Sequence, residues 1–483
     1  MILDFRPILF VVGILLATLG VAMAAPCALD IADGNLDWEV FAGVGGFTLF
    51  VGIALALTNR VPVRRLTLRQ GFLLTTVTWL VLTMFAALPF VFSELRLSYT
   101  DAFFEAMSGI TTTGSTVIKG LDHAPRGLLL WRALLQWLGG VGIVVMAVSV
   151  LPILRVGGMQ IFRVEAFEAQ EKIMPRAGQI ASWIVIIYIL FTLIWSLGLW
   201  LMGMDGFHAI VHAMTTIATG GFSSADNSVG EFRGPLVESF VTLGMVVGAM
   251  PFFLYLKAMG AGPMVIVRDS QVRCFLAIAA ASVLAVAGWL WTTTDRAPGD
   301  ALVASSFNVV SIMTGTGYTS EDFETWGTFP VVVMFLLMFV GGCAGSTACG
   351  IKVFRFQILF STARTQFARL MHPHGVFVPH YNQRPIDDEV SHAVMGFFVL
   401  YIVAFAALAA ILGALGLDFI TAVSGAATAI SNVGPGLGPV IGPSGTFAPL
   451  PDAAKWALSA GMLLGRLELF TVLILFIPRF WRG

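Results

Sequence analysis

Ten apolar stretches, each close to the length of a membrane-crossing helix, constrain this chain more than any other feature of its sequence. A helix needs roughly 20 apolar residues to cross the hydrocarbon core of a bilayer. The stretches lie at 8–25, 40–58, 71–93, 127–153, 178–203, 234–258, 274–293, 329–350, 393–416 and 456–478. Of the 483 residues, 57% are hydrophobic and only 11% are charged, whereas roughly a quarter of a soluble domain is charged. The sequence therefore predicts an all-α integral membrane protein.

The basic residues predict how the chain is oriented in the membrane. If the N-terminus is cytoplasmic, the inner segments are 59–70, 154–177, 258–273, 351–392 and the C-terminal tail. These segments hold most of the 27 Lys and Arg residues, as expected of cytoplasmic loops, so we expect both termini inside. The first stretch, which ends in AMAAP, could instead be a cleaved signal peptide. Its leader MILDFRP has only one basic residue, which favours a retained helix.

Four short polar segments recur between the apolar stretches. They read DAFFEAMSGITTTGST from 101, DGFHAIVHAMTTIATGGFSS from 205, DALVASSFNVVSIMTGTGYTS from 300 and DFITAVSGAATAISNVGPGLG from 418. Segments this polar suit re-entrant loops buried in protein. The order helix, pore loop, helix then repeats four times. We predict an N-terminal two-helix unit at 1–69 and four pseudo-repeats around one central pore, at 70–177, 178–273, 274–392 and 393–483.

The composition of the four loops predicts a potassium pathway. A dehydrated potassium ion needs a ring of oxygens, which backbone carbonyls can supply, and glycine permits the backbone angles and close approach that such a ring requires. One loop of this kind could equally be a small-residue packing patch, but four at matching places favour a filter. The predicted filter residues are Thr112, Thr113, Gly114, Ala218, Thr219, Gly220, Gly315, Thr316, Gly317, Asn432, Val433 and Gly434.

Each loop is preceded by a predicted short helix that begins near an acidic residue. These residues are Asp101, Asp205, Asp300 and Asp418. They could cap the helices or attract cations, and the two roles are compatible. The carbonyl end of each helix would carry a partial negative charge toward the pore.

Two further features predict a gate below the filter. The stretch at 329–350 is interrupted by GGCAGSTACG, which cannot continue an apolar helix; its candidate gate residues are Gly341, Gly342, Gly345, Ser346, Thr347 and Gly350. Arg466 lies near the middle of the last stretch, where an unpaired charge is costly, so it faces a polar cavity as a barrier to cations or forms a structural ion pair. His208 and His212 have no third metal ligand nearby in the sequence and are interpreted as packing residues.

Several motifs resemble the Trk/Ktr potassium uptake family, in particular the membrane subunit of the bacterial Trk system, the TrkH and TrkG type. They include DAFFEAMSGITTTG, LLQWLGGVGIVVMAVSVLPILRVGGMQ, TIATGGFSS, GGCAGSTACGIKV, NVGPGLG and MLLGRLELFTVLILF. The resemblance implies filter glycines at Gly114, Gly220, Gly317 and Gly434, an intramembrane loop at Gly341–Gly350 and a barrier arginine at Arg466. It also implies a homodimer in the bacterial inner membrane and a cytoplasmic TrkA-type partner that binds NAD or ATP.

The chain departs from the usual family pattern in the motif of the intramembrane loop. Family members usually read GSTGGGIK where this chain reads GSTACGIK, so Ala348 and Cys349 replace glycines and predict a stiffer loop. The chain has no GxGxxG fingerprint, and nucleotide sensing would therefore belong to a partner.

Three classes of function follow from these patterns. The first is a potassium uptake channel, with K+ as the transported ion. The second is a proton- or sodium-coupled potassium symporter of the same fold, which would need a buried acid such as Glu468 to carry the coupling charge. The third, a membrane enzyme or receptor, has no zinc, nucleophile or paired-carboxylate motif to support it.

Overall fold

The computed structural model describes residues 4–60, 67–149, 156–159, 177–232, 234–382 and 384–482. Much of the inner segment predicted at 154–177 lies outside the described residues, as does part of the segment at 59–70. The basic residues affected are Arg64, Arg65, Arg155, Arg163, Lys172 and Arg176.

Helices dominate the described part of the chain. The first half contains α1 Arg6–Ala22, α2 Ala24–Asp33, α3 Asp37–Thr58, α4 Leu68–Ala86, α5 Leu88–Phe92, α6 Tyr99–Ile110, α7 Arg126–Ser149, α8 Ala177–Leu201 and α9 Gly206–Ile217. The second half contains α10 Pro235–Ala249, α11 Phe252–Ala261, α12 Met264–Arg268, α13 Ser270–Thr293, α14 Pro298–Thr314, α15 Thr328–Leu337, α16 Val353–Met371, α17 Asp388–Ala414, α18 Phe419–Ser431, α19 Gly438–Ile441, α20 Asp452–Arg466, α21 Phe470–Leu473 and α22 Pro478–Arg482. A short antiparallel hairpin pairs β1 His380–Tyr381 with β2 Arg384–Pro385.

Nine of the ten predicted spans appear, among the described residues, as single long helices or as bent helix pairs. Among the described residues, seven helices are long and apolar enough to cross a membrane. Two more spans are bent pairs: α10 meets α11 at 89°, and α20 meets the segment from Phe470 at 108°. The stretch at 329–350 is not a spanning helix, because α15 ends at Leu337. The sequence predicted one broken helix. In the structure, the spanning element that follows the polar segment is bent or interrupted in three of the four units.

The four polar segments form short helices packed between their flanking spans. Helix α6 lies between α4 and α7, α9 between α8 and α10, α14 between α13 and α15, and α18 between α17 and α20. Neighbouring units also touch, because α7 packs on α9 and α10 packs on α14. Helix α20 packs on α6, so the fourth unit returns to the first. We call α6, α9, α14 and α18 the re-entrant helices.

Glycines bring the two helices of the N-terminal unit into close contact. A Cβ placed on Gly13 of α1 would lie 2.6 Å from the Ala56 nitrogen and 2.7 Å from the Gly52 carbonyl oxygen of α3. Such contacts are too short for any side chain, so α1 and α3 pack backbone to backbone. Small residues commonly allow this in membranes.

Substitution of Gly13 by leucine is expected to destabilise the protein without changing which ion it carries. Overpacking a tight contact costs about 1–3 kcal/mol, and this contact lies in the N-terminal unit. The measurement is the thermal stability of the purified protein in detergent. Gly46→Leu on α3 is the matched control, because open space surrounds Gly46; equal stability of the two variants would contradict the expectation.

Candidate ion pathway

Each re-entrant helix ends in a loop with the same alternating backbone. In every loop two residues, separated by one, have φ in the left-handed region. The pairs, with their φ angles, are Thr112 (51°) and Gly114 (88°), Thr219 (48°) and Gly221 (78°), Gly315 (73°) and Gly317 (79°), and Asn432 (53°) and Gly434 (109°). Left-handed φ values are rare outside glycine, yet three of these eight residues, Thr112, Thr219 and Asn432, are not glycine. The matching pairs therefore define one repeated loop conformation.

The second loop is shifted by one residue from the alignment predicted from the sequence. The residue aligned with Gly114 is Gly221, not Gly220, because Gly221 has the left-handed φ. Hydrogen bonds agree: the Thr113 N–H donates to the Ser108 carbonyl (2.8 Å), and the Gly220 N–H donates to the Thr215 carbonyl (2.9 Å). Ala218 therefore precedes the aligned tripeptide. The motif ATGG offers two adjacent glycines, and sequence alone could not choose between them.

The four loops close into a ring through their glycines. A Cβ on Gly114 would overlap the Gly220 carbonyl oxygen of the second loop, and a Cβ on Gly221 would overlap the Thr316 carbonyl oxygen of the third. In the same order, a Cβ on Gly317 would overlap the Val433 carbonyl oxygen. The ring closes where a Cβ on Gly434 would lie 2.9 Å from the Thr113 carbonyl oxygen. Each loop thus sets its glycine against a carbonyl of the next.

A cavity of 580 Å³ lies beside this ring. All four aligned glycines line it, together with residues that follow each loop, including Lys119 and Asp226. The cavity is therefore a vestibule that gives access to one end of the ring.

The intramembrane loop, Gly341–Gly350, is held by backbone hydrogen bonds to other elements. The Cys343 N–H donates to the Ala249 carbonyl (3.0 Å) and the Thr347 N–H to the Gly248 carbonyl (3.1 Å), both at the end of α10. The Gly341 N–H donates to the Ile351 carbonyl (2.9 Å). These bonds satisfy a non-helical backbone within the membrane, as they must there.

The same loop lies against the end of the ring opposite the vestibule. The Thr347 hydroxyl is 3.1 Å from the Thr219 hydroxyl, and the Cys349 sulfur is 3.7 Å from the Thr112 hydroxyl. A Cβ on Gly315 would lie 3.6 Å from the Cys349 Cβ. The intramembrane loop therefore contacts three of the four loops.

The backbone of the intramembrane loop accommodates its non-glycine residues. Gly345 and Gly350 have left-handed φ values of 76° and 71°, whereas Ala348 and Cys349 do not. Gly342 is a close contact, because its Cβ would lie 2.6 Å from the Ala348 Cβ. The Ser346 hydroxyl donates to the Cys343 carbonyl (2.6 Å). Ala348, one of the two residues that depart from the family pattern, therefore packs directly against Gly342.

Arg466 is buried and bonded to the intramembrane loop. It ends α20, before the 108° bend. Its guanidinium donates to the Thr347 carbonyl (3.0 Å) and the Gly139 carbonyl (3.3 Å), and it contacts the Cys349 sulfur. Within the described ranges no carboxylate forms an ion pair with it. A cavity of 20 Å³ lies between the loop and Arg466, which leaves room for about one water.

Two buried ion pairs lie close to this pathway. Glu468 pairs with Arg355 (2.5 Å), whose guanidinium also lies 3.7 Å from the centre of the Phe397 ring. Glu105 pairs with Arg132 (2.8 Å), and the two side chains are 0% and 2% exposed. The sequence analysis did not predict this second pair. The signal for it was one charged residue inside a re-entrant helix and another inside an apolar stretch.

The four acidic residues at the starts of the re-entrant helices divide into two kinds. Asp205 and Asp418 are N-caps, accepting from the N–H groups of Phe207 and Thr421. Hydrogen bonds from Thr421 hold the pKa of Asp418 below its usual value. Helices α6 and α14 begin earlier than predicted, so Asp101 and Asp300 lie in their first turns. Asp101 pairs there with Lys455 (2.5 Å).

The two histidines of the second unit bond to serines. A His208 ring nitrogen lies 2.6 Å from the Ser224 hydroxyl, and a His212 ring nitrogen lies 3.0 Å from the Ser223 hydroxyl. The described residues contain no group of three potential metal ligands.

Spanning helices arranged around four re-entrant loops in a closed ring define a multi-pass membrane protein of the re-entrant-loop class. Residues 39–482 match the model of the TrkH family, described as a cation transport protein. The chain belongs to this TrkH family of cation transport proteins.

Individual relatives resemble the chain over its whole length. It is 44% identical to the Trk system potassium uptake protein TrkI of Halomonas elongata, over 99% of this chain and 97% of that protein. It is 38% identical to TrkH of Escherichia coli K12, over 99% of this chain and all of that protein. The crystal structure of the potassium transporter TrkH from Vibrio parahaemolyticus matches with a TM-score of 0.92 at 36% identity, covering 99% of this chain and 100% of that one.

Proposed function

We propose that this chain takes up potassium ions through a filter formed by its four loops. The observation that carries the proposal is the closed ring, in which each aligned glycine lies against a carbonyl of the next loop. Backbone carbonyls can replace the hydration shell of a potassium ion. The filter residues are Thr112–Gly114, Thr219–Gly221, Gly315–Gly317 and Asn432–Gly434. The potassium uptake named for relatives such as TrkI and TrkH supports the choice of ion.

The driving force in this proposal is the membrane potential. It is worth roughly 2.3 kcal/mol per elementary charge per 100 mV, which is sufficient to draw a cation inward without a second coupled ion. Potassium enters from the vestibule, loses its water in the ring and leaves on the side of the intramembrane loop.

The intramembrane loop and Arg466 form the gate in this proposal. The loop lies against the inner end of the filter, and only about one water fits between it and Arg466. Arg466 adds a positive charge and bonds the loop through the Thr347 carbonyl. Flux therefore requires the loop to move away from Thr112 and Thr219.

A coupled symporter is less well supported, because the one candidate acid is already paired. Glu468 bonds to the buried guanidinium of Arg355, and a coupling carboxylate would have to release that partner in each cycle.

We expect Glu468→Gln to lower the free energy of unfolding by about 3–5 kcal/mol, the usual cost of leaving one member of a buried ion pair without its partner. Voltage-driven flux of the unmodified protein should not need a proton or sodium gradient. Flux that needs a pH gradient at fixed voltage, and is lost in a folded Glu468→Gln variant, would favour the symporter.

We further propose an assembly: a homodimer in the bacterial inner membrane, with cytoplasmic termini and a TrkA-type regulatory subunit that binds NAD or ATP. The name Trk system given to the relatives supports further components. Helix α16 supports an interface, because Phe360, Phe367 and Leu370 are 72%, 66% and 76% exposed, and exposed apolar patches mark interaction sites. We also propose that the N-terminal unit and the first three repeats end at residues 69, 177, 273 and 392.

Growth of a potassium-uptake-deficient bacterium on limiting potassium tests the proposed function. Expression of this chain, together with the host's regulatory subunit, should restore growth. An empty vector and the Gly317→Val variant serve as controls. Absence of growth despite membrane expression of the chain would contradict the proposal.

A further inference from the structure

The four units carry different residues at one position behind the filter. Aligning them on Gly114, Gly221, Gly317 and Gly434 brings together the residues nine positions earlier, which are Glu105, His212, Asn308 and Gly425. All lie on the re-entrant helices, and the side chains of the first three are fully buried. Buried polar groups need hydrogen-bond partners, and each of these three side chains has at least one partner in the segment that follows its filter loop.

In the first unit, Glu105 binds the chain beyond the filter through several hydrogen bonds. Its carboxylate accepts from the Thr116 hydroxyl (3.0 Å) and from the Val117 N–H (2.9 Å). The Nε of Arg132 donates to the same carboxylate (2.8 Å). Arg132 also donates through Nη1 to the Ser223 carbonyl (2.7 Å) in the second loop segment. The ion pair therefore joins two neighbouring loop segments.

The second and third units make the same connection without a carboxylate. His212 Nδ1 lies 2.8 Å from the His208 carbonyl and must donate to it, so Nε2 accepts from the Ser223 hydroxyl (3.0 Å). Asn308 donates through Nδ2 to the Ser320 hydroxyl (2.9 Å) and accepts from the Ser320 N–H (3.4 Å). Ser223 aligns with Thr116, and Ser320 aligns with Val117.

The fourth unit uses the adjacent residue. Gly425 has no side chain to offer, but the hydroxyl of Ser424 accepts from the Leu437 N–H (2.9 Å), and Leu437 aligns with Val117. The hydroxyl also donates to the Ile420 carbonyl (2.6 Å). All four re-entrant helices thus hold the segment beyond their loop by a side chain, and we call these contacts the four staples.

We propose that the four staples are positioning elements that set the ion selectivity of the filter, and that Glu105 with Arg132 has the largest share. This inference rests on the proposed function. Selectivity depends on the spacing and rigidity of the carbonyls, and groups held by a supporting shell of hydrogen bonds keep their geometry. Charge-assisted hydrogen bonds are roughly twice as strong as neutral ones. The first staple, with its ion pair, should therefore constrain the ring more than the staples of His212, Asn308 and Ser424.

The test is the potassium-to-sodium permeability ratio of the purified full-length protein in planar bilayers. It is obtained from the reversal potential with potassium on one side and sodium on the other. We expect Glu105→Gln to lower the ratio by about tenfold, because it removes the ion pair with Arg132 and makes the bonds from Thr116 and Val117 neutral, and Ser424→Ala to lower it by about twofold. Asp33→Asn is the matched control, since it removes an exposed ion pair with Arg126 in place of a buried one. Its ratio should stay unchanged.

Each outcome decides the proposal. If Glu105→Gln folds and has the same potassium-to-sodium permeability ratio as a potassium-selective unmodified protein, the proposed role of the staples is refuted and the proposed function stands. If Glu105→Gln does not fold, Ser424→Ala and Asn308→Ala supply the test instead, and unchanged ratios in both would overturn the proposal. A lower yield with a normal ratio would mean that the staples only stabilise the fold. An unmodified protein that does not prefer potassium would refute the proposed function and the staples together.

Discussion

Replacement of Gly317 by valine is expected to abolish potassium uptake. Gly317 has a φ of 79°, and a left-handed residue with a Cβ costs roughly 1–2 kcal/mol from the backbone alone. The added Cβ would also overlap the Val433 carbonyl oxygen of the neighbouring loop. The ring can keep this carbonyl in place only without a side chain at position 317. Uptake of radioactive rubidium by cells expressing the variant should fall to the background of the empty vector.

The control for this result is Gly288→Val. Gly288 lies on α13, and a Cβ added there would have no neighbouring atom within 4 Å, so uptake should stay near the unmodified level. Membrane expression of both variants must be equal. Normal rubidium uptake by Gly317→Val would show that the third loop is not part of the ion path.

Replacement of Arg466 by alanine is expected to raise potassium flux in the absence of a regulatory partner. Arg466 donates to the Thr347 carbonyl and to the Gly139 carbonyl. Hydrogen bonds from a charged donor contribute about 1.5–3 kcal/mol each, and about 1.4 kcal/mol is a factor of ten in an equilibrium. Loss of one such bond would increase the open fraction of a mostly closed gate by about tenfold. Flux into liposomes containing the purified protein measures the change.

The Arg466→Lys variant separates charge from bonding. Lysine keeps the positive charge but lacks the planar fork of donors. Low flux in Arg466→Lys and high flux in Arg466→Ala would assign the barrier to charge. High flux in both would assign it to the hydrogen bonds that hold the intramembrane loop. Lower flux in Arg466→Ala, at equal folded protein, would contradict a gating role and indicate a structural one.

The sequence predicted the parts of the fold that depend on local composition. Apolar length predicted the spanning helices, and the Thr- and Gly-rich segments predicted four re-entrant loops. The broken stretch around Gly341–Gly350 was also evident, because a run of small and polar residues cannot form an apolar helix. Each of these features depends on residues that are consecutive in the chain, so it can be predicted without knowledge of tertiary contacts.

The features that the sequence did not predict depend on contacts between distant residues. Gly220 and Gly221 are both compatible with the motif, and only the left-handed φ of Gly221 decides the register. The bends after Ala249 and Arg466 occur where the intramembrane loop takes up backbone and side-chain bonds. The partners of Glu105 and Glu468 lie on other helices, so the buried charges are visible in the sequence but the choice of partner is not.

We propose that four loops of one chain form a potassium pathway driven by voltage. The most direct test is potassium flux into liposomes that contain only the purified protein, at a fixed inside-negative potential and with no proton or sodium gradient. We expect potassium entry that grows with the potential, exceeds sodium entry under the same conditions and is absent in Gly317→Val. Equal entry of the two ions, or no potassium entry until a second ion gradient is imposed, would contradict it.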